Sequence, residues 1–218
     1  MVTSSLLGSI PRIRHGFGTA ASLVPAALTP VWALRPAKRQ VHGSRVATII
    51  EPQQQVGDAD GFLTAVPGLP AIIITADCVP LLLARRDGSQ IAAVHAGWRG
   101  LYDSVIPAAL AAMGEGAPLV AAVGPTICTA CYEVSQELAD DFTRRFGPAA
   151  VPAFRHLDLR AVAEQQLRAA GVDEIDHVGG CTCCARDGAG EPIYRSYRRG
   201  DRGSQMHSGL YITPKGEK

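Results

Sequence analysis

Two imidazoles and one thiol stand out as side chains able to share a cation. They are His42 in Gln40-Val41-His42-Gly43, Cys78 in Thr75-Ala76-Asp77-Cys78, and His95 in Ala93-Val94-His95-Ala96-Gly97-Trp98-Arg99-Gly100. Two nitrogens and one sulfur form a three-ligand set for zinc, with copper as the alternative, and a catalytic zinc keeps its fourth position for water or substrate. Zinc held this way lowers the pKa of bound water from about 15.7 to about 7, which gives hydroxide at neutral pH. Asp77, next to Cys78, is a candidate proton acceptor or donor, or a group that orients a ligand histidine. The competing reading is structural: a buried cysteine is a small hydrophobe, the histidines are satisfied core residues, and Asp77 caps a turn.

Two further constellations carry chemistry. Cys128-Thr129-Ala130-Cys131 and Cys181-Thr182-Cys183-Cys184 are two close groups of thiols. Four thiolates from two such groups are the usual ligands of structural zinc, although the second group lacks the spacing of a ribbon or finger. Arg195, Arg198, Arg199 and Arg202, interleaved with Tyr194 and Tyr197, form a basic stretch. The planar guanidinium suits phosphate, so a small phosphate-bearing ligand fits there, with Arg99 beside His95 as a further contact. The alternative is a solvated loop.

These residues need elements to position them. Ala71–Thr75, Pro80–Ala84 and Gln90–Val94 are continuous apolar runs, which predict strands covered on both faces; Cys78 lies between the first two and His95 ends the third. Arg45–Ile50, Leu119–Val123, Asp176–Gly179 and Gly209–Thr213 predict further strands. Leu101–Met113, stopped by Gly114, and Glu133–Phe146, stopped by Gly147-Pro148, predict helices. Asp158–Ala170 has the clearest helical face, with Asp158 as cap and Gly171 as stop. Gly57-Asp58-Ala59-Asp60-Gly61 reads as a turn cluster, and Ala20–Pro36 as a loop or short helix. The class is α/β, a layered sandwich of mixed β-sheet with packed helices, and residues 1–218 read as a single domain.

Composition narrows the function. Of the 218 residues 47% are apolar, 19% are charged and the formal net charge is +1. A core is affordable, and neither a disordered chain nor a nucleic-acid surface is indicated. No apolar stretch reaches the roughly 20 residues that span a bilayer. Met1–Gly8 lacks the basic start of a signal peptide. Six unevenly spaced cysteines do not form a secreted disulfide framework, so a cytoplasmic protein is expected.

Taken in order, the motifs resemble the multicopper polyphenol oxidase or laccase-domain (YfiH-like) family, whose members act as purine nucleoside phosphorylases. The resemblance rests on His15-Gly16-Phe17, Gln40-Val41-His42-Gly43, Asp60-Gly61, Thr75-Ala76-Asp77-Cys78-Val79-Pro80, the His95 segment, Gly124-Pro125-Thr126-Ile127 with Cys131-Tyr132-Glu133-Val134, Leu157-Asp158-Leu159, Cys181-Thr182 and Ser196-Tyr197-Arg198-Arg199. It implies one layered α/β domain, zinc on His42, Cys78 and His95, catalytic roles for Asp77 and Cys78, and substrate contacts from Gln40, Arg99, Arg198 and Arg199. The implied reaction is phosphorolysis of adenosine, inosine, guanosine or methylthioadenosine to base and ribose-1-phosphate, with adenosine deamination beside it. Purine nucleosides and inorganic phosphate are thus the expected partners, and no oligomeric state is implied.

The chain departs from the family pattern in two places. Family members continue the His-Gly-Phe element with Thr-Arg-x-Gly-Gly, whereas here Thr19 is followed by Ala20-Ala21, so an arginine is missing; Arg35, Lys38 and Arg39 are the candidate substitutes. Gly203-Ser204-Gln205 also replaces the family's Thr-Gly-Arg. Two other readings follow: a copper-dependent phenol oxidase, which needs more grouped histidines than six scattered ones supply, and a catalytically impaired binding homologue.

Overall fold

A computed structural model describes residues 2–216. Its strands are β1 (Ile13–Phe17), β2 (Ala37–Arg39), β3 (Val46–Thr48), β4 (Gln55–Asp58), β5 (Gly61–Thr64), β6 (Pro70–Thr75), β7 (Val79–Arg85), β8 (Ile91–Ala96), β9 (Leu119–Val123), β10 (Glu174–His177) and β11 (Met206–Ile212). Its helices are α1 (Ser5–Gly8), α2 (Trp98–Tyr102), α3 (Val105–Met113), α4 (Gln136–Phe146) and α5 (Leu159–Ala169). A mixed six-stranded sheet has the order β10-β9-β7-β8-β5-β3, an antiparallel three-stranded sheet the order β1-β11-β6, and β2 pairs with β4.

Side chains alternate across a strand, and that alternation divides the core. Leu81 and Leu83 of β7 and Val94 of β8 pack with Ile106, Phe142, Val162 and Leu167 of the helices. Leu82, Ala84 and Ala93 face the other way, onto Ile13, Phe17, Ile73 and Leu210 of the three-stranded sheet. The outer face of that sheet, through Ile72 and Tyr211, is covered by Leu28 and Val31 of a 3₁₀ segment over Ala26–Leu34. Every residue of β7 and β8 is buried, as their apolar runs require, and this includes the polar Arg85 and His95. The mixed, layered α/β class expected from the pattern is the fold observed.

Local chemistry explains the helix limits. Asp158 accepts the Ala161 N–H at 2.9 Å and starts α5, and Ser135 accepts the Leu138 N–H at 3.2 Å and starts α4 two residues inside the predicted span. The single helix expected over Leu101–Met113 is two. Ser104 takes a left-handed φ of 64° between α2 and α3, because the Pro107 ring would clash with a helical carbonyl four residues back. The predicted turn cluster hides the start of β5, and β1 was not expected as a strand. No helix among the described residues is long and apolar enough to cross a membrane.

Candidate functional site

Strand register assembles the site. In the β7/β8 pair Val79 lies opposite Ala96, so the next position on each side brings Cys78 beside Gly97. In the β5/β8 pair Gly61 lies opposite Val94, which sets Asp60 against His95; the His95 N–H donates to the Asp60 carbonyl at 2.7 Å. Gly97 is needed at this junction. A Cβ there would lie 2.9 Å from His42 Cδ2 and 3.0 Å from Cys78 Sγ, and real Cβ atoms do not approach other groups so closely.

Asp60 is the organising residue and is wholly buried. Its Oδ1 accepts the His42 N–H at 2.9 Å and faces His95 Nδ1 at 2.7 Å, while Oδ2 accepts the Gly43 and Val41 N–H groups at 2.8 and 3.1 Å. One carboxylate therefore pins the left-handed turn at His42, where φ is 61°, and sets the ring of His95. Because an ionised carboxylate only accepts, the His95 proton belongs on Nδ1 and Nε2 is left for the cluster. Burial pushes the Asp60 carboxyl up, but the His95 bond and the amides outweigh it and the net shift is downward. The sequence places this residue in a turn cluster and in the Asp60-Gly61 motif without giving it a role.

One donor atom from each of His42, Cys78 and His95 lies within 4.8 Å of the others. His95 is 3% exposed, Cys78 is half-buried and His42 is exposed, with the two rings edge to face at 4.7 Å between centroids. Burial raises the Cys78 thiol, yet His95 and His42 overcome this and bring it to about 6; burial lowers His95, yet the thiolate and Asp60 carry it to about 9. A thiolate beside an imidazolium is a ligand set whose imidazolium proton a cation would displace. The soft sulfur and two imidazoles suit zinc or copper, and Gly97 keeps the approach to them open. The residues present thus fit a metal.

The triad opens into a cavity of about 760 Å³, whose lining includes Gln40, Asp77, Trp98, Arg99, Tyr132, Tyr197, Arg198 and Arg202. That volume suits a small-molecule site. Arg99 stacks on Trp98 at 5.0 Å and Arg202 on Tyr197 at 5.2 Å. Neither has a carboxylate partner among the described residues. Tyr197 is 61% exposed and is one of the aromatic residues of the lining.

Several expected residues take other places. Asp77 is buried, but it does not touch a ligand histidine; Asp60 does. Its two oxygens accept the Thr182 hydroxyl at 2.6 Å and the Arg198 N–H at 2.8 Å, and its carbonyl accepts from Thr126 Oγ1 at 2.6 Å and the Ile127 N–H at 3.0 Å. These bonds hold a non-glycine φ of 96°, so Asp77 is placed to position loops. Arg199 lies outside the cavity lining. Its guanidinium is spent on the carbonyls of Thr182, Cys183 and Tyr194 and on Asp201. The Arg198 guanidinium lines the cavity but donates to the carbonyls of Cys131 and Glu133. Gln40 lines it too, with its amide clamped on the Ile74 backbone and on Lys38.

None of the candidate replacements for the missing arginine reaches the lining. Arg35 lies over Trp32, Arg39 pairs with Asp58, and Lys38 donates to Gln40 at 2.6 Å over the Phe62 ring.

The site is a nitrogen and sulfur donor triad, compatible with a metal, that lines a cationic, aromatic cavity of a layered α/β fold. The chain belongs to the multi-copper polyphenol oxidoreductase laccase family, whose sequence profile matches residues 26–211. It is 36% identical over 181 residues to a purine nucleoside phosphorylase of Xylella fastidiosa, spanning 75% of this chain and 68% of that protein. It is 30% identical over 189 residues to the purine nucleoside phosphorylase YfiH of Shigella flexneri, covering 84% and 74% of the two chains. Among solved structures it resembles a Neisseria meningitidis protein of the DUF152 family, with a TM-score of 0.81, 26% identity and 98% and 99% coverage. The resemblance read from the motifs is thereby confirmed.

Proposed function

We propose that this protein cleaves purine nucleosides with inorganic phosphate in the cavity above His42, Cys78 and His95, with zinc as the resident metal. What carries the reading is the meeting of three kinds of group in one cavity: metal donors, the guanidiniums of Arg99 and Arg202 without carboxylate partners, and the aromatic faces of Trp98, Tyr132 and Tyr197. The names borne by the relatives support it.

In phosphorolysis a phosphate oxygen bonds to the anomeric carbon as the glycosidic carbon–nitrogen bond breaks. The bond pair stays on the purine, which then takes up a proton. Arg99 and Arg202 hold the phosphate as planar donors, the stronger type of hydrogen bond for an anion. Tyr197 and Trp98 offer faces on which a purine stacks. Asp77 holds the Arg198 turn against the loop bearing Cys78, and Asp60 holds both histidines. Zinc on the triad would supply Lewis-acid chemistry and water activation, the requirement of a second reaction, adenosine deamination. Adenosine, inosine, guanosine and methylthioadenosine are the candidate substrates.

The copper oxidase reading has less support. The other four histidines lie away from the triad: His15 accepts from Ser4, His207 packs on Trp32, His177 pairs with Glu164 and His156 bonds Phe154. Incubation of metal-loaded protein with adenosine, with and without phosphate, tests the proposal. Adenine and ribose-1-phosphate formed only with phosphate are expected, together with inosine from deamination. Metal-loaded, folded protein that releases neither adenine nor inosine would refute it and leave the impaired-homologue reading standing.

A further inference from the structure

Outside the cavity the fold brings a second donor cluster together. Cys128, Cys131, Cys181 and Cys184 each place a sulfur within 4.8 Å of the other three. Cys128 precedes and Cys131 ends a short 3₁₀ turn after β9, and Cys181 and Cys184 come from the turn after β10. A backbone bridge between Thr126 and Cys181 joins the two segments. Cys128 Sγ lies 3.9 Å from Cys184 Sγ, and the Cys128 N–H donates to Cys181 Sγ at 3.2 Å. Cys183, the remaining cysteine of this turn, stays out of the group and packs against the helix-side core.

We infer that these four sulfurs form a structural zinc site. Four cysteine sulfurs gathered from two short turns are the ligand set of a closed zinc site with no vacant position, and an amide N–H aimed at one of the sulfurs supplies the outer support such ligands need. Oxidation would instead yield two disulfides.

The cluster sits against the wall of the cavity. The Cys131 carbonyl accepts from Arg198 and the Cys183 carbonyl from Arg199, while Thr182, between Cys181 and Cys183, bonds Asp77. A metal here would fasten the two turns that carry these contacts and take no part in the reaction.

The test separates this site from the triad. A His42→Ala/Cys78→Ala/His95→Ala variant, purified under reducing conditions, is expected to retain one zinc per chain. It should also take up cobalt(II) with the sulfur-to-metal absorption of a four-thiolate site. Wild-type protein carrying Cys128→Ser and Cys184→Ser is expected to lose one equivalent of zinc and that absorption while keeping the triad's metal. Since the triple variant could fail to fold, cobalt titration of wild-type protein gives an independent reading. Two kinds of site should appear, one of them with the spectrum of four thiolates. A folded triple variant with no zinc and no thiolate absorption, wild-type protein with a single class of cobalt site, or mass measurement showing two disulfides in freshly isolated protein would overturn the inference.

Discussion

Asp60→Asn removes the charge that holds both histidines, and its consequence can be worked from four distances. Each carboxylate oxygen faces two donors: Oδ1 faces His42 N–H and His95 Nδ1, Oδ2 faces Gly43 and Val41 N–H, all between 2.7 and 3.1 Å. An asparagine amide has one oxygen, so whichever way it turns, two donors lose their acceptor and meet an NH₂ group instead. A hydrogen bond to a charged group contributes about 1.5–3 kcal/mol, and two lost inside a fully buried pocket cost about 3–6 kcal/mol. Against a native stability of about 5–15 kcal/mol, the variant should fold but unfold at a clearly lower urea concentration with an unchanged slope. The metal should feel the change as well, because one orientation frees the His42 turn on one side and the other frees His95. Loss of such an outer partner lowers metal affinity about 10–100-fold. Competition with a chromophoric chelator measures that affinity directly. A folded variant whose zinc affinity stays within about twofold of wild type would show that Asp60 does not orient the ligands.

Gly97→Ala tests the close approach alone, since φ −75° and ψ 172° suit any residue. The added carbon would press on His42 and Cys78, and metal affinity should fall about tenfold or more with little change in urea midpoint. Arg99→Met and Arg202→Met should each raise the apparent phosphate KM by about 10–100-fold, the equivalent of about 1.5–3 kcal/mol, and leave the metal content unchanged in steady-state assays and metal analysis. Cys78→Ala should abolish turnover and the triad's metal while circular dichroism stays native. Acid stability should carry the mark of His207, whose ring burial, with Lys38 and Arg35 nearby, lowers it to about 4. Below pH 6.5 the unfolded chain takes a proton that the folded ring refuses, so stability falls from there to about pH 4, by at most about 1.4 kcal/mol per pH unit. His15, also lowered by burial, acts in the same direction, and His207→Phe should gain on wild type as urea unfolding is repeated from pH 7 to pH 4.5.

Cys78 and His95 were legible because each stands at the end of an apolar run, and such runs make strands that deliver side chains to a sheet edge. That the two meet was not legible, since it depends on the Val79–Ala96 register, which no local pattern specifies. Asp60 was missed for a physical reason. Among Gly57-Asp58-Ala59-Asp60-Gly61 the two aspartates look alike, yet Asp58 is an exposed partner of Arg39 and Asp60 is sealed inside. The Asp60-Gly61 motif marked the position but not its role; in the structure a Cβ at Gly61 would sit 2.8 Å from Val46, a crowding that reflects the close β3/β5 pairing. Adjacent arginines posed the same problem: a turn sends Arg198 to the cavity and buries the guanidinium of Arg199 on carbonyls. The cysteine groups were visible as pairs, but only the Thr126–Cys181 bridge brings them together.

The segment at Ala20-Ala21 lacks the arginine that the family resemblance implies. Arg35, Lys38 and Arg39 are committed to Trp32, Gln40 and Asp58, so the cationic lining comes from Arg99 and from the turn carrying Arg198 and Arg202. That turn is not independent of the donor triad. Asp77 precedes Cys78 directly, and its carboxylate ties the Arg198 amide to the Thr182 hydroxyl. The Cys78 loop and the arginine turn are therefore tied to each other through the Asp77 carboxylate. Were the triad to hold a metal and the arginine turn an anion, Asp77, with its φ of 96°, would be the residue that couples the two.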